Sequence, residues 1–442
     1  MALVASALAG LPPGPGRSPF AQAVEWVRRP LPFLEDCARC YGDTFTLRLA
    51  GMPPMVMVSS PEAVREVFAG DPEVLRAGEA NALLRAALGP RSLLVLDGSE
   101  HMRERKLMLP PFHGERMRRY GDLIVEIAER TIERWPCDRP FAVAPHTRSI
   151  ALEVILRAVL GVDEPERRAR LEGPLRRLLD ATTKPFRVLV LLLLDPDGPT
   201  IAAWRRHAPT MRRVDALLLG EIRRRRAEPG TAAREDILSL LLEARDEEGR
   251  AMDDQHLRDE LMTMLVAGHE TTAVALAWGL ERLARHPDAL ERLKREASGD
   301  GDGYLDAVAK EILRVRTIIP FVVRQLAAPA RIAGHELPAG VRVAPCVHLV
   351  HRRPDLYPDP EAFRPQRFLE RPASTYGWIP FGGGTRRCLG GAFALFELKT
   401  ILKVIARAGL VLPAEPQDEP VGRRGLTLVP AHGGRILWQP QP

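Results

Sequence analysis

A single cysteine, Cys388, lies in the glycine-rich stretch FGGGTRRCLG, which spans residues 381–390. A strong helix pattern follows it directly, so the dipole of the first helical turn favours a thiolate, and Arg386 and Arg387 add positive charge. The glycines remove side chains that would keep a large, flat group away from the sulfur. This combination predicts a thiolate that holds the iron of a haem. The alternatives are a phosphate-binding loop, whose Lys-Ser/Thr ending is missing here, and an ordinary buried thiol.

The same stretch resembles the haem-binding signature of the cytochrome P450 family, with the pattern FxxGxRxCxG. The resemblance implies that Cys388 is the axial thiolate ligand of haem b, which is iron protoporphyrin IX. It also implies that Phe381, Gly382, Gly384 and Gly390 contact the haem.

A glutamate and an arginine three residues apart, Glu311 and Arg314, share one face of a predicted helix and can form an ion pair. On its own such a pair is more often a surface pair that contributes little stability. The cytochrome P450 resemblance implies instead a structural pair that is joined by Arg367, from the stretch FRPQRF. The three side chains are expected to fix the segment that delivers Cys388.

The sequence AGHETT, residues 267–272, lies within an otherwise apolar helix pattern. Gly268 is expected to let the helix backbone open, so that a side-chain hydroxyl replaces a lost backbone hydrogen bond. The resemblance implies that Thr271 is the hydroxyl that assists oxygen activation and that Glu270 is the acid of a proton relay. It places Ala267 and Gly268 beside the haem. The alternative is a threonine that caps its own backbone, next to a solvent-facing glutamate.

His101 and Arg105, one helical turn apart in the stretch HMRER, present two cationic donors on one helix face. The two propionate groups of a haem need such partners. The resemblance implies that His101, Arg105, Arg324 and Arg386 bind these propionates.

The resemblance also implies a substrate pocket, formed by the segment before His101, the AGHETT helix, the run after Arg314 and the C-terminal part. The implied lining residues are nearly all apolar: Leu93, Leu94, Leu265, Ala267, Ile318, Ile319, Phe321, Val322 and Leu426. An apolar pocket predicts a lipophilic small-molecule substrate, such as a fatty acid, terpenoid, steroid or macrolide-like metabolite. The leucine-rich run at residues 186–195 is expected to belong to a mobile access lid.

The resemblance implies a haem-thiolate mono-oxygenase that inserts one oxygen atom of dioxygen into a C–H bond, or a C=C bond, of that substrate. We expect electrons from NAD(P)H to arrive indirectly, through a reductase and a separate ferredoxin or flavodoxin. Basic residues are expected to dock this acidic partner: Arg103, Arg105, Lys106, Arg386 and Arg387. Two alternatives remain open: a peroxide-using or rearranging haem-thiolate enzyme, and a non-catalytic haem-thiolate binding protein.

These residues belong to a chain of 442 residues whose 45% hydrophobic content suits a large buried core. Periodic apolar residues predict a helical core over about residues 97–315, including a long helix over about 253–286. Parts rich in β-branched residues, glycine and proline predict strands at about 40–60 and 320–350. We therefore predict a mainly α protein with a minor β part. The resemblance implies the cytochrome P450 fold, a triangular helical prism with small β-sheets and the haem between distal and proximal helices.

A flexible N-terminal segment is expected at residues 1–16, followed by one domain over 17–442. The most apolar runs of the sequence are too short to cross a bilayer, so no transmembrane span is expected. Five cysteines, an odd number, favour a reducing compartment, and we expect a cytoplasmic monomer. Aromatic residues make up only 5% of the chain and do not alternate with basic runs, which argues against nucleic-acid binding.

Overall fold

A computed structural model describes residues 10–112, 116–181, 208–228, 234–299 and 301–441 of the chain. The helices of these residues, in chain order, are Pro19–Arg28 (α1), Pro30–Tyr41 (α2), Pro61–Ala69 (α3), Ala77–Ala80 (α4), Arg85–Leu88 (α5), Gly98–Met108 (α6), Arg116–Ile132 (α7), Ala144–Ala158 (α8), Pro165–Ala181 (α9), Ala208–Ala227 (α10), Ile237–Glu243 (α11), Asp254–Arg285 (α12), Pro287–Ala297 (α13), Gly303–Val315 (α14), Val347–His351 (α15), Arg367–Glu370 (α16) and Gly391–Ala408 (α17). The strands are Thr44–Leu47 (β1), Met55–Val58 (β2), Leu75–Arg76 (β3), Phe141–Ala142 (β4), Arg324–Leu326 (β5), Ala330–Ile332 (β6), His335–Leu337 (β7), Arg342–Pro345 (β8), Gly409–Pro413 (β9), Val421–Arg424 (β10), Thr427–Pro430 (β11) and Arg435–Pro440 (β12).

The strands form small sheets at the edge of the helical body. The largest sheet has the order β1-β2-β8-β5-β3. β1 and β2 form an antiparallel hairpin within the predicted strand region at about 40–60, with Thr44 opposite Val58. β2 then pairs in parallel with β8, with Met55 opposite Arg342, so the sheet joins two distant parts of the chain. A second sheet has the order β4-β12-β9, and β6-β7 and β10-β11 form separate two-stranded units.

Local sequence signals determine where several helices begin. Ser60 accepts a hydrogen bond from the Ala63 N–H at 3.2 Å, and it caps α3, whose first residue is a proline. Asp253 caps α12 in the same way, because its side chain accepts from the His256 N–H at 2.8 Å. The long helix α12 begins where the sequence predicts it, at about residue 253.

The main hydrophobic core is helical and surrounds α12. This helix packs against α8, α10 and α17, and its side chains are buried over most of its length. Leu257, Leu261 and Leu276 are 0% exposed. Two smaller apolar clusters cover the two faces of the largest sheet, one against α3 and the other against α2. The mainly α architecture with a minor β part confirms the fold class predicted from the sequence.

The N-terminal segment differs from the sequence prediction. The Thr46 N–H donates to the Pro13 carbonyl at 2.9 Å, and the Thr46 hydroxyl donates to the Pro12 carbonyl at 2.7 Å. Gly14 lies so close to β1 that an added Cβ would overlap the Thr46 carbonyl. The predicted flexibility of residues 1–16 is therefore wrong for residues 12–14, because these hydrogen bonds fix them to the sheet.

The C-terminal part of the chain also forms strands. The C-terminal strands β9–β12 were not predicted, because glycine and proline interrupt the alternation of apolar and polar residues there. The expected access lid at residues 186–195 lies outside the described residues.

No helix in the described part of the chain is both long and apolar enough to span a bilayer.

Candidate active site

The Cys388 loop is closed by a backbone hydrogen bond and leads directly into a helix. The Cys388 N–H donates to the Phe381 carbonyl at 2.9 Å, and α17 begins at Gly391. Gly384 has a φ of +64°, and an added Cβ would overlap the Phe68 carbonyl. Only glycine fits at this position. The loop therefore carries the thiol just before the N-terminus of α17.

The electrostatics of the thiol differ from the sequence prediction. Burial raises the pKa of the Cys388 thiol, and the Gly390 N–H, Arg105 and Arg387 oppose this rise without cancelling it. Cys388 nevertheless keeps an exposed side, because the protein encloses the sulfur incompletely. Arg387 and the backbone N–H before α17 thus act in the predicted direction, but burial, which the sequence does not show, outweighs them. Coordination to a metal cation deprotonates a thiol outright, so the iron itself would have to ionise Cys388.

Glu311, Arg314 and Arg367 form a buried network rather than a surface pair. The Glu311 and Arg314 side chains are 0% exposed, with Arg314 Nε 2.7 Å from Glu311 Oε2. Arg367 Nε lies 3.1 Å from Glu311 Oε1. Arg314 also donates to the carbonyls of His351 at 2.9 Å and Pro360 at 2.8 Å. The network thus fixes α14 to the segment that runs toward the Cys388 loop.

The four predicted propionate partners lie close enough to influence one another. Burial, followed by the charges of Arg386, Arg105 and Arg324, lowers the pKa of His101 to about 3. Burial and a neighbouring guanidinium also lower the pKa of Arg324 to about 10 and that of Arg386 to about 10. Asp97 is the acidic partner within this cluster, with its Oδ1 2.5 Å from Arg386 Nη2. One carboxylate does not balance the positive charges of Arg105, Arg324 and Arg386.

These residues fit a haem. A haem brings two carboxylates and an iron that accepts a thiolate ligand. The surplus positive charge of Arg105, Arg324 and Arg386 suits the carboxylates, and Cys388 supplies the thiolate. Arg386 also donates to the Leu93 carbonyl at 3.2 Å, so the loop before α6 orients this guanidinium.

The AGHETT stretch lies at an open patch in the middle of the buried helix α12. Ala267 is exposed, and Gly268, Glu270 and Thr271 are half-buried, whereas the helix is buried on either side of this patch. His269 is only 3% exposed and lies on the core side of the helix. The helix is therefore accessible at this patch and buried on either side of it. The patch contains both residues predicted to be catalytic.

The backbone of α12 does not open at Gly268. The helix is continuous from Asp254 to Arg285, and the Thr271 hydroxyl donates to the Ala267 carbonyl at 2.8 Å. An added Cβ at Gly268 would lie 2.8 Å from Ile155 Cδ1, so this glycine allows α8 to pack closely. The predicted opening of the backbone is not present, whereas the Thr271 hydroxyl bond agrees with both the prediction and its alternative.

Glu270 forms an ion pair that the sequence did not reveal. Its Oε1 lies 3.2 Å from Nε of Arg424, which is the last residue of β10. The Glu270 side chain is 13% exposed and that of Arg424 is 21% exposed, so solvent screens the pair only in part. More than 150 residues separate the two in sequence, and no local pattern indicates that they meet.

The C-terminal hairpin β10–β11 lies close to part of the predicted substrate pocket. The Leu428 N–H donates to the Ile318 carbonyl at 2.8 Å, which joins the hairpin to the run after Arg314. Leu426, at the tip of the hairpin, is 63% exposed. Four other predicted lining residues are half-buried: Leu94, Ile318, Ile319 and Val322.

Three other predicted lining residues pack within the protein. Leu265 is 1% exposed and Leu93 is 7% exposed, and both belong to the main core. The Phe321 ring packs against Trp26, with ring centroids 5.2 Å apart. Leu265 lies in the core and not on the exposed patch of α12, because the nearly all-apolar sequence of this helix does not show which side is exposed.

The basic residues predicted to dock an electron donor divide into surface and internal groups. Arg103, Lys106 and Arg387 are exposed, and Lys106 pairs with Glu247 at 2.7 Å. The Arg386 side chain is only 11% exposed and pairs with Asp97, and burial lowers the pKa of Arg105. Arg386 is therefore an internal group and is not available for docking.

A helical fold that presents a cysteine at a helix N-terminus, beside a cluster of buried cations, defines a haem-thiolate protein. The cytochrome P450 family model matches residues 12–428. The chain belongs to the cytochrome P450 family. Its cofactor is a haem bound through a thiolate, and the family consists of mono-oxygenases.

Similar proteins include several from mycobacteria. Cytochrome P450 135B1 of Mycobacterium tuberculosis is 46% identical over 433 residues, which cover 97% of this chain and 91% of that protein. Cytochrome P450 137 of the same species is 38% identical over 402 residues, covering 91% and 84% of the two chains. Among solved structures, the retinoic acid bound cyanobacterial CYP120A1 is similar, with a TM-score of 0.82 and 25% identity. That match covers 98% of this chain and 99% of the cyanobacterial one.

Proposed function

We propose that the protein is a mono-oxygenase that inserts one oxygen atom of dioxygen into a C–H or C=C bond of a lipophilic small molecule. The observation that carries this proposal is the open patch on α12. It presents the Thr271 hydroxyl and the Glu270 carboxylate in the middle of a helix that is otherwise buried. A protein that only binds haem needs neither group at that position.

Cys388 would hold the haem iron, and His101, Arg105, Arg324 and Arg386 would hold the propionates. The loop residues Phe381, Gly382, Gly384 and Gly390 and the helix residues Ala267 and Gly268 would border the ring. When bound, the haem supplies the chemistry that activates dioxygen with two electrons and two protons. Glu311, Arg314 and Arg367 act as structural residues, because their network fixes the path of the chain toward Cys388.

Thr271 and Glu270 would carry protons to the reaction site. The Thr271 hydroxyl donates to the Ala267 carbonyl at 2.8 Å, so its oxygen remains able to accept a hydrogen bond from a water in the cavity. Glu270 is held by Arg424 at 3.2 Å. A carboxylate in this position can exchange a proton with that water when its contact to Arg424 loosens. Arg424 is therefore a positioning residue for Glu270.

The substrate is proposed to be lipophilic because the half-buried side chains around the pocket are apolar. Leu94, Ile318, Ile319 and Val322 carry no polar group, and Leu426 lies at the tip of the nearby hairpin. The structurally similar CYP120A1 binds retinoic acid, which is a long apolar molecule with one carboxylate. This supports a terpenoid, a fatty acid or another extended apolar compound as the first class to examine.

The electrons are proposed to come from NAD(P)H through a reductase and a separate ferredoxin or flavodoxin. Arg103, Lys106 and Arg387 are exposed cations that suit an acidic partner. All five cysteines are free, which agrees with a reducing compartment. We accordingly propose a cytoplasmic monomer with one domain over residues 17–442.

A screen of lipophilic compounds against the purified haem protein tests the substrate proposal. Compounds that enter the pocket should shift the haem absorption spectrum, and incubation with NADPH, a ferredoxin and its reductase should give a product with one added oxygen atom. If only small charged molecules shift the spectrum, the substrate proposal is wrong. If product forms with peroxide alone and not with the electron donors, the enzyme is a peroxide-using one.

A further inference from the structure

A second cluster of titratable side chains lies between α6 and α12, outside the proposed haem and substrate contacts. Glu104 lies on α6, and His256 and Glu260 lie one turn apart on the same face of α12. One potential ligand atom from each of the three lies within 4.8 Å of the other two. His256 Nε2 is 2.8 Å from Glu104 Oε2.

The two carboxylates of this cluster are buried without a lysine or arginine partner in the described part of the chain. Glu260 is 0% exposed and Glu104 is 3% exposed. In the described part of the chain, no lysine or arginine forms an ion pair with either of them. Burial and the charge of Glu104 raise the pKa of Glu260 well above its ordinary value. Two buried carboxyl groups at this distance require either a shared proton or a cation between them.

One oxygen of each carboxylate in this cluster has no hydrogen-bond partner among the described residues. Glu260 Oε1 accepts from the Leu93 N–H at 2.7 Å, which orients the carboxylate. Glu260 Oε2 and Glu104 Oε1 have no hydrogen-bond partner in the described part of the chain, whereas His256 Nε2 contacts Glu104 Oε2. Buried polar atoms without partners are rare, and each such atom calls for an explanation.

We propose that Glu104, His256 and Glu260 bind one divalent first-row transition metal ion, with Zn²⁺ or Mn²⁺ as the best matches. Two carboxylates balance the charge of a divalent ion. The imidazole nitrogen favours these metals over Ca²⁺ and Mg²⁺, which prefer oxygen ligands. Three protein ligands leave a coordination position for water, which the partly open side of His256 can admit.

The bound ion would connect two elements that also shape the haem site. Glu260 holds the Leu93 N–H, and the neighbouring Asp259 holds the Arg91 N–H at 3.1 Å. The Leu93 carbonyl in turn accepts from Arg386 at 3.2 Å. A metal that joins α6 to α12 would therefore fix the segment before α6 in place. The site itself does not depend on the proposed mono-oxygenase reaction.

The test uses untagged, haem-loaded protein that has been treated with EDTA, and it measures Zn²⁺ binding by equilibrium dialysis with elemental analysis. The variants are His256→Gln and Glu260→Gln. His335→Gln is the matched control, because His335 is a half-buried histidine on β7. Unchanged haem absorption shows that a variant is folded. If Glu260→Gln does not fold, His256, whose side chain is 17% exposed, still supplies a more tolerant variant.

We expect the wild type and His335→Gln to bind one equivalent of Zn²⁺. The two site variants should bind Zn²⁺ at least about 100-fold more weakly, because even residues that only support a ligand contribute 10- to 100-fold to metal affinity. Zn²⁺ should also raise the melting temperature of the wild type and the control, but not of the site variants. Equal stoichiometry and affinity in all four proteins would overturn the proposal. Absence of Zn²⁺ and Mn²⁺ binding in the wild type would also overturn it, in favour of a proton shared by the two carboxyl groups.

Discussion

Glu311→Gln is expected to destabilise the protein strongly, because Glu311 is the only acidic member of the buried Glu311, Arg314 and Arg367 network. Its carboxylate accepts from Arg314 Nε at 2.7 Å and Nη2 at 2.8 Å, and from Arg367 Nε at 3.1 Å. It also accepts from the Arg364 N–H at 2.7 Å. Glutamine preserves the size of the side chain but removes its charge, and its amide nitrogen cannot accept a hydrogen bond.

The expected loss follows from the burial of the partners. The Arg314 side chain is 0% exposed and that of Arg367 is 7% exposed, so neither guanidinium can turn to solvent when Glu311 becomes neutral. Removal of one partner of a buried pair costs about 3–5 kcal/mol. This is a large share of the roughly 5–15 kcal/mol that stabilises a typical folded domain.

The matched control is Glu370→Gln, an identical substitution nearby at a surface pair. Glu370 lies 2.6 Å from Arg364 and its side chain is 53% exposed, so this variant should lose about 1 kcal/mol or less. Urea unfolding of the haem-bound protein, followed by both circular dichroism and haem absorption, gives the two free energies of unfolding. If the losses of the two variants agree within about 1 kcal/mol, the network does not have the structural role assigned to it.

Three further predictions concern catalysis, docking and pH. Thr271→Ala should lower product formation by roughly 100-fold, the lower end of general acid–base contributions, while substrate still shifts the haem spectrum; unchanged turnover would contradict the relay. Lys106→Glu combined with Arg387→Glu should slow reduction by an acidic ferredoxin, and the slowing should diminish as salt screens the surface charges; equal rates at low salt would refute the docking site. Burial raises the pKa of Glu397 from 4.5 to about 8, so the folded state holds a proton that the unfolded chain loses between these values. Wild-type stability should therefore fall over this range relative to Glu397→Gln, by at most about 1.4 kcal/mol per pH unit, and parallel stability curves would show that Glu397 titrates normally.

The features predictable from the sequence are those governed by neighbouring residues. Ser60 and Asp253 cap helices through the third residue along the chain, so the starts of α3 and α12 can be predicted from local pattern. The same holds for the Cys388 loop, because its glycines and the following helix are consecutive in sequence. The fold itself was predicted from the resemblance to the cytochrome P450 family, whose motifs occur in this chain in the same order.

The features that the sequence did not show depend on contacts between distant segments. Arg386 pairs with Asp97, and Glu270 pairs with Arg424, across nearly 300 and more than 150 residues of chain respectively. Because Arg386 pairs with Asp97, its side chain is internal and does not lie on the predicted docking surface. Leu265 was misassigned for a related reason, since a helix that is apolar on nearly all sides gives no periodic signal for its exposed face.

The binding of haem iron by Cys388 is tested most directly by the carbon-monoxide difference spectrum of the reduced protein. Cys388→Ala is compared with Cys137→Ala, which changes another exposed, free cysteine. The account predicts a thiolate-type spectrum for the wild type and for Cys137→Ala, and its loss in Cys388→Ala. A thiolate-type spectrum that persists in Cys388→Ala would contradict the assignment of this residue as the iron ligand.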